Sequence, residues 1–156
     1  MSIDNEKTDF YHSLTKQAQA LIGDERNLVA NLANLSALLF MSLDDVNWVG
    51  FYLVDENELV LGPFQGKPAC IRIPIGKGVC GTAALNRTTQ IVADVHQFEG
   101  HIACDAASQS EIVIPILSGR RLIGVLDIDS PIVERFDSVD GLGLQQIVDV
   151  LQETIC

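Results

Sequence analysis

Residues 100–130 read GHIACDAASQSEIVIPILSGRRLIGVLDIDS, and this stretch determines most of what the sequence predicts about the fold. Its second half contains two apolar runs, 112–117 and 121–128, joined by a short turn. That is the pattern of two adjacent antiparallel strands. The first half is polar and rich in small residues, so we expect a loop there that carries Cys104. A loop held by a sheet is where reactive thiols tend to be found, because reactivity needs both access and a shaped surrounding.

Three carboxylates bracket the two apolar runs. Glu111 precedes the first run, and Asp127 and Asp129 end the second. Because side chains alternate along a strand, Asp127 and Asp129 are expected on the same face of the sheet. The stretch therefore predicts a site in which a thiol loop faces a carboxylate cluster. The alternative is that Cys104 packs as a small hydrophobic residue and the acids occupy turns.

The length and composition indicate one globular domain spanning residues 1–156. The chain has 156 residues, of which 47% are hydrophobic and 20% charged, so it can bury a core of ordinary size. Its net charge of −11 repels phosphate backbones, which argues against nucleic-acid binding. The N-terminus lacks the basic and apolar regions of a secretory signal, and no apolar run is long enough to span a membrane. We therefore expect a cytoplasmic protein with reduced thiols.

Helical periodicity predicts helices at both ends of the chain. Two N-terminal helices are expected over about 5–41, and Gly23 separates them. The first is predicted to turn its inner side to the core, and Asp24 is expected to cap the second. A C-terminal helix is expected over about 137–155, opened by Asp137. The predicted inner residues of the first helix are Phe10, Leu14, Ala18 and Leu21; those of the second are Leu28, Leu32, Leu35, Leu38 and Leu39.

Between these helices, at about 47–130, the pattern predicts a mostly antiparallel sheet and the loops of the site. Residues 47–54 and 58–61 form a predicted hairpin around a turn at 55–57. Further strands are expected at 69–74 and 89–95, before the two strands described above. A glycine-rich entry at 76–78 introduces a short helix but lacks the ending and spacing of a Walker motif. Helices and a mostly antiparallel sheet together predict an α+β layered domain.

Four cysteines leave two kinds of chemistry open. A zinc site could use Cys70, Cys80 and Cys104 with His96 or His101, but structural zinc ligands usually come in close pairs and these cysteines are far apart. Redox exchange between separated thiols is the other reading. Cys80 begins the predicted short helix, whose dipole is expected to lower its pKa. Cys156 is expected to be incidental.

Several segments resemble the free methionine-(R)-sulfoxide reductases, which are single GAF-domain enzymes. The resemblance runs from about Tyr11 to the last helix. It lies in Asn-Trp-Val-Gly-Phe-Tyr, Leu-Gly-Pro-Phe-Gln-Gly-Lys-Pro-Ala-Cys, Gly-Lys-Gly-Val-Cys-Gly-Thr-Ala, Asp-Val-His-Gln-Phe-Glu-Gly-His-Ile-Ala-Cys-Asp-Ala-Ala-Ser and Gly-Val-Leu-Asp-Ile-Asp-Ser. Most GAF domains are sensor modules that lack the three cysteines, so the set of Cys70, Cys80 and Cys104 is what separates this family from the superfamily.

The resemblance implies a GAF-like sheet and a role for each cysteine. It implies that Cys104 attacks the sulfoxide, that Cys70 resolves the product as a disulfide, and that Cys80 is a third thiol, such as an alternative resolving one. It also implies thioredoxin as the external reductant, no resident metal or cofactor, and a homodimer. The pocket residues that it implies are two aromatic side chains and three acids: Trp48, Tyr52, Glu111, Asp127 and Asp129.

The chemistry of free methionine sulfoxide suits these residue types. Its ammonium needs an anionic partner, and its S=O oxygen needs a proton before it can leave. Three adjacent carboxylates cannot all ionise without repulsion, so one of them can stay protonated and supply that proton. The methyl group needs an apolar wall, which Trp48 fits, although Trp48 as ordinary core is the alternative. Two other readings of the whole chain are a GAF sensor that binds a metabolite without turnover and a peroxide-sensing thiol protein.

Overall fold

The computed structural model describes residues 3–101 and 107–155, so Cys104 and Cys156 lie outside the described residues. We number the helices and strands in chain order. The elements are α1 (Ile3–Ile22), α2 (Leu28–Ser42), β1 (Trp48–Asp55), β2 (Glu58–Gly66), β3 (Arg72–Pro74), α3 (Gly78–Asn86), β4 (Gln90–Val92), a 3-10 turn (Val95–Gln97), β5 (Ser110–Ser118), β6 (Arg121–Ser130) and α4 (Ser138–Gln152).

The strands form one six-stranded sheet in the order β3-β2-β1-β6-β5-β4, and every neighbouring pair is antiparallel. The predicted hairpin is present, with Asp55 opposite Glu58 across the turn between β1 and β2. The turn residue Glu56 has a φ of 58°, a left-handed conformation that suits such a tight connection. The prediction of an α+β domain with a mostly antiparallel sheet is confirmed.

The two faces of the sheet bury different kinds of residue. The helix face packs against α1, α2 and α4, and the pocket face packs against α3. Because side chains alternate, the same three central strands supply both faces. The helix face consists of Val49, Phe51, Ile112, Ile114, Ile116, Leu126 and Ile128. The pocket face carries Trp48, Tyr52, Glu111, Val113, Val125, Asp127 and Asp129.

The inner side of α1 differs from the prediction at two positions. Tyr11 and Ile22 are buried, whereas Phe10 and Leu21 are 39% and 44% exposed. A Cβ on Gly143 of α4 would overlap the ring of Tyr11, so the missing side chain lets that ring pack directly against α4. The Tyr11 hydroxyl also donates a hydrogen bond of 2.6 Å to Asp140. These contacts with α4 select the side of α1 that is buried.

The start of α2 is also later than predicted. Asp24 was the expected cap, but the helix begins at Leu28 and the side chain of Asn27 accepts a hydrogen bond from the amide of Ala30. Residues 23–24 form a turn after α1, and the carboxylate of Glu25 then accepts hydrogen bonds from the amides of Arg26 and Asn27. Both Asp and Asn are good caps, and this local turn decides between them.

Strand lengths differ from the predicted ones at the edge of the sheet. β2 continues past residue 61 to Gly66 because it stays paired with β1, up to Trp48 opposite Gly66. β3 is confined to Arg72–Pro74, and β4 to Gln90–Val92. Residues 67–71, predicted in part as strand, instead form an irregular edge segment between β2 and β3.

The C-terminal helix is capped as predicted. Asp137 caps α4 by accepting hydrogen bonds from the amides of Val139 and Asp140. The buried carboxylate of Asp140 contacts Lys7 of α1 at 2.7 Å and Arg135 at 3.4 Å, which joins α1, α4 and the connection after β6. Within the described residues, no helix combines the length and apolar character needed to span a membrane.

Candidate active site

Strand register brings the three predicted carboxylates together on the pocket face. Glu111 of β5 lies opposite Asp129 of β6, and Asp129 lies opposite Trp48 of β1. Asp127 occupies the next position on this face of β6, opposite Gly50 and Val113. The alternation that placed Asp127 and Asp129 on one face is therefore observed. Glu111, Asp127 and Asp129 all line the same cavity.

Burial governs the protonation of two of these acids. Desolvation, followed by the charges of Asp127 and Asp129, holds the pKa of Glu111 well above its usual range. Desolvation also raises the pKa of Asp127, although hydrogen bonds from Glu111 and Cys80 partly oppose the shift. Two buried carboxyl groups this close share protons and do not both ionise. One oxygen of Asp127, Oδ1, is buried without a hydrogen-bond partner among the described residues.

Cys80 lies against these acids in the first turn of α3. Its Sγ is 3.9 Å from Oε2 of Glu111, and its thiol is free. Burial, together with the charges of Asp127 and Glu111, raises its pKa well above the ordinary value. The expectation of a lowered pKa from the helix dipole is therefore wrong. The dipole contributes only a fraction of a charge, and full desolvation next to carboxylates outweighs it.

Trp48 and Tyr52 form the aromatic wall of the cavity. Their rings stack with centroids 6.0 Å apart, and the Trp48 ring also stacks on Phe64 at 5.2 Å. Gly50 lies between the two aromatic positions on this face, and a Cβ there would meet the Trp48 ring and Phe64. The missing side chain therefore leaves room for the indole. The predicted apolar surface is present at the cavity and beside the acids.

The polar ends of both aromatic residues hold the edge segment 67–71. The Trp48 indole donates to the carbonyl of Lys67 at 3.1 Å, and the Tyr52 hydroxyl donates to the carbonyl of Cys70 at 2.8 Å. Burial and the nearby acids raise the pKa of Tyr52, so its hydroxyl stays neutral and remains a donor. This arrangement fixes the backbone at Cys70 relative to the aromatic wall.

Two of the four cysteines have a described redox state. Cys70 is disulfide-bonded, whereas Cys80 is a free thiol, so Cys80 is not the partner of Cys70. The predicted attacking residue, Cys104, and the terminal Cys156 lie outside the described residues. The structure therefore assigns Cys70 to a disulfide and Cys80 to the acid cluster.

The two histidines near the predicted thiol loop have different environments. His101 lines the cavity, and burial lowers its pKa. The ring of His96 is exposed and lies 3.2 Å from the carboxylate of Asp94, which also caps the 3-10 turn. His101 is thus the one of the pair that the structure brings to the site.

The cavity has a volume of about 50 Å³ and includes residues that the sequence reasoning missed. Two lysines, Lys67 and Lys77, are the unpredicted charged residues along its rim. Because Lys67 and Lys77 lie close in sequence to Cys70 and Cys80, their position at the cavity could have been predicted from the sequence. The unpredicted lining residues are Lys67, Pro68, Ala69, Ile73, Lys77, Gly78, Val79 and Ser108.

The acid and thiol cluster is also close enough for metal ligation. One ligand atom from each of Cys80, Glu111 and Asp127 lies within 4.8 Å of the others. The pKa of every member is raised, so protons compete with a cation for these atoms. We interpret the cluster as a site that binds protons.

Comparison with known proteins gives consistent matches over almost the whole chain. A model of the GAF domain family matches residues 9–155. The chain is 54% identical to the free methionine-R-sulfoxide reductase of Escherichia coli (strain K12), over 96% of this chain and 90% of that protein. It is 44% identical to the protein of the same name from Saccharomyces cerevisiae, over 95% of this chain and 87% of that protein.

Solved structures show the same similarity. The reduced form of fRMsr of Staphylococcus aureus superposes with a TM-score of 0.91 at 60% identity, covering 94% of this chain and 95% of that one. The free methionine-R-sulfoxide reductase from Neisseria meningitidis, in complex with its substrate, superposes with a TM-score of 0.91 at 46% identity, covering 95% of this chain and 89% of that one.

Proposed function

Because this chain belongs to the free methionine-R-sulfoxide reductase family of GAF-domain proteins, we propose that it reduces free L-methionine-(R)-sulfoxide to L-methionine. Members of this family are oxidoreductases. The observation that carries the proposal is the buried carboxyl cluster beside an aromatic wall, in which Oδ1 of Asp127 has no partner among the described residues. A buried acceptor without a partner is what a ligand cation would satisfy.

The pocket face offers a complementary group for the ammonium, the methyl group and the S=O oxygen of the substrate. The ammonium binds the carboxylates of Asp127 and Asp129, and the methyl group lies against the Trp48 ring. Glu111, whose raised pKa favours its protonated form, donates that proton to the S=O oxygen. Desolvation strengthens these interactions because Trp48, Glu111 and Asp127 are buried.

Cys104 is the proposed nucleophile. Its thiolate attacks the sulfoxide sulfur, the oxygen passes to Cys104 as a sulfenic acid, and methionine leaves. Cys70 then attacks the sulfenic sulfur and releases water, which forms the disulfide Cys70–Cys104. That Cys70 is disulfide-bonded while Cys80 is free supports Cys70 as the first resolving thiol. Cys80 is left as the alternative resolving thiol, next to the proton donor.

Regeneration requires two electrons from outside the chain. We propose thioredoxin as the dithiol donor, and no resident cofactor, since the thiol and acid groups account for each step. We propose the cytoplasm as the compartment, because regeneration needs a reducing thiol pool. The homodimer implied by the family resemblance stays a prediction.

The direct test is to incubate the protein with free L-methionine-(R)-sulfoxide and dithiothreitol and to measure methionine by chromatography. We expect steady turnover, complete loss in Cys104→Ser, and no change in the matched control Cys156→Ser. Substrate binding without methionine formation would identify a sensor and overturn the proposal. Full activity in Cys104→Ser would move the nucleophile to another thiol.

Selectivity tests the assignment of the acids. An N-acetylated substrate has a neutral nitrogen and would leave buried carboxylates without their cation, so we expect its kcat/KM to be lower by about a hundredfold or more. The R-sulfoxide of N-acetylmethionine and the free amino acid are compared on the same preparation. Equal kcat/KM for the two would show that the carboxylates do not bind the ammonium.

A further inference from the structure

The disulfide cysteine Cys70 lies on a segment that is held rigidly at the edge of the sheet. Three carbonyls of residues 67–71 accept hydrogen bonds from the sheet: Lys67 from Trp48, Cys70 from Tyr52, and Ile71 from the amide of Leu61 at 2.8 Å. The segment ends at β3, the edge strand on this side, and Cys70 itself is half-buried. A half-buried sulfur on a fixed edge segment can be reached from solvent without opening the domain.

Next to Cys70 is an apolar side chain that nothing in the described structure covers. Ile71 is 68% exposed, although its backbone is held against β2. Single exposed hydrophobic residues are common and need no explanation by themselves. Ile71 differs from such residues because it lies next to a disulfide that must be reduced in each turnover. A reducing protein that approaches this disulfide would contact the Ile71 side chain.

Local charge favours the approach of a thiolate to this segment. Residues 67–77 include the cations Lys67, Arg72 and Lys77 and no acid. Arg72 pairs with Glu58 at 2.7 Å, which leaves the two exposed lysines to attract an anion. Disulfide exchange proceeds through an attacking thiolate, so the two lysines favour its approach to Cys70.

We propose that a protein dithiol docks on residues 67–71 with Ile71 as its apolar anchor, and that its thiolate attacks Sγ of Cys70. This rests on the proposed function, which requires the disulfide to be reduced after each turnover. In the first step the S–S bond of Cys70 breaks, a mixed disulfide forms, and the former partner of Cys70 leaves as a thiolate. The second thiol of the donor then attacks its own mixed sulfur, which releases reduced Cys70 and the oxidised donor.

The first experiment separates docking from chemistry by changing the reductant. In Ile71→Asp, kcat/KM for thioredoxin should fall about tenfold, as for loss of an interface anchor, and the rate with dithiothreitol should stay within about twofold. Leu142→Asp is the matched control, because Leu142 is 70% exposed but lies on α4. Ile71→Leu should keep the thioredoxin rate. An equal loss with both reductants, or no loss with thioredoxin, would overturn the proposal.

The second experiment identifies the sulfur that is attacked. A thioredoxin variant that keeps only its attacking cysteine is mixed with the oxidised protein, and the trapped mixed disulfide is mapped by mass spectrometry. We expect the bond at Cys70; a bond at Cys104 would overturn the proposal. This trap needs no methionine sulfoxide, so it tests docking even if the dithiothreitol assay shows that the proposed function is wrong.

Discussion

The helix face and the pocket face of the sheet are built from alternate residues of the same strands, yet they are buried for different reasons. On β6, Leu126 and Ile128 pack against helices, while Asp127 and Asp129 line the cavity. The helix face pairs aliphatic side chains with aliphatic neighbours and gains stability from the area that it buries. The pocket face buries Glu111 and Asp127, and burial raises the pKa of both. Burying such acids lowers stability, a cost that fits the catalytic role we propose for them.

The largest expected effect is on the helix face. Ile114 is fully buried, so Ile114→Ala should lower the free energy of unfolding by about 2–5 kcal/mol through lost burial and a cavity. The remaining folded protein should keep its kcat within about threefold, since Ile114 points away from the cavity. Urea unfolding and steady-state kinetics below the melting transition measure the two quantities. A large drop in kcat at unchanged stability would contradict the division between the faces.

On the pocket face we expect a smaller change in the free energy of unfolding than for Ile114→Ala, and a larger change in catalysis. Asp127→Asn should lower kcat/KM for the free substrate by about a hundredfold, equivalent to about 2.7 kcal/mol, because the ammonium loses a buried anion. The melting temperature should stay the same or rise, since a buried ionisable group is removed. Thermal unfolding and kinetics on one preparation are the measurements. A clear loss of stability with normal kinetics would mean that Asp127 is structural.

The third prediction concerns the pH dependence of stability, to which Glu111 and Asp137 contribute with opposite signs. The pKa of Glu111 is raised above its ordinary 4.5, so the native state binds the proton more tightly and stability from this group declines as pH rises above 4.5. Asp137 behaves in the opposite way. Burial alone would raise its pKa, but hydrogen bonds from Lys7 and the Asp140 backbone lower it from 3.8 to about 2.

Urea unfolding across a pH series distinguishes the two groups. Glu111→Gln should flatten the decline of stability above pH 4.5, whereas Asp137→Asn should remove stability that the wild type loses between pH 3.8 and about 2. Each variant serves as the control for the other, because each replaces one carboxyl group by an amide. If Glu111→Gln left the slope above pH 4.5 unchanged, the acid cluster would not hold the extra proton.

Features that depend on local pattern were predictable from the sequence. Alternation put Asp127 and Asp129 on one face, the β1–β2 turn was visible in its polar residues, and Asp137 has the residue type and position of a helix cap. The resemblance to a known family pointed to the residues of the pocket. Each of these needs only neighbouring residues or a motif.

Features that depend on distant contacts were not predictable. Helical spacing fits a buried side with Phe10 and Leu21 about as well as one with Tyr11 and Ile22, and the contacts of Tyr11 with α4 decide between them. The pKa of Cys80 was predicted with the wrong sign because its neighbours Glu111 and Asp127 come from other elements. The part played by Lys67 at the rim likewise depends on an edge segment that β2 and the aromatic residues hold in place.

The contact between α1 and α4 also constrains the order in which the molecule assembles. The hydrogen bond from Tyr11 to Asp140 joins residues 129 positions apart, whereas the hairpin strands meet within a few residues. Closing so long a loop costs more entropy than closing the hairpin, so we expect α1 to dock after the hairpin has formed. Tyr11→Phe should then speed unfolding and leave the refolding rate nearly unchanged, which stopped-flow fluorescence of Trp48 would measure. The hairpin that carries Trp48 and Tyr52 would thus form before α1 packs against α4.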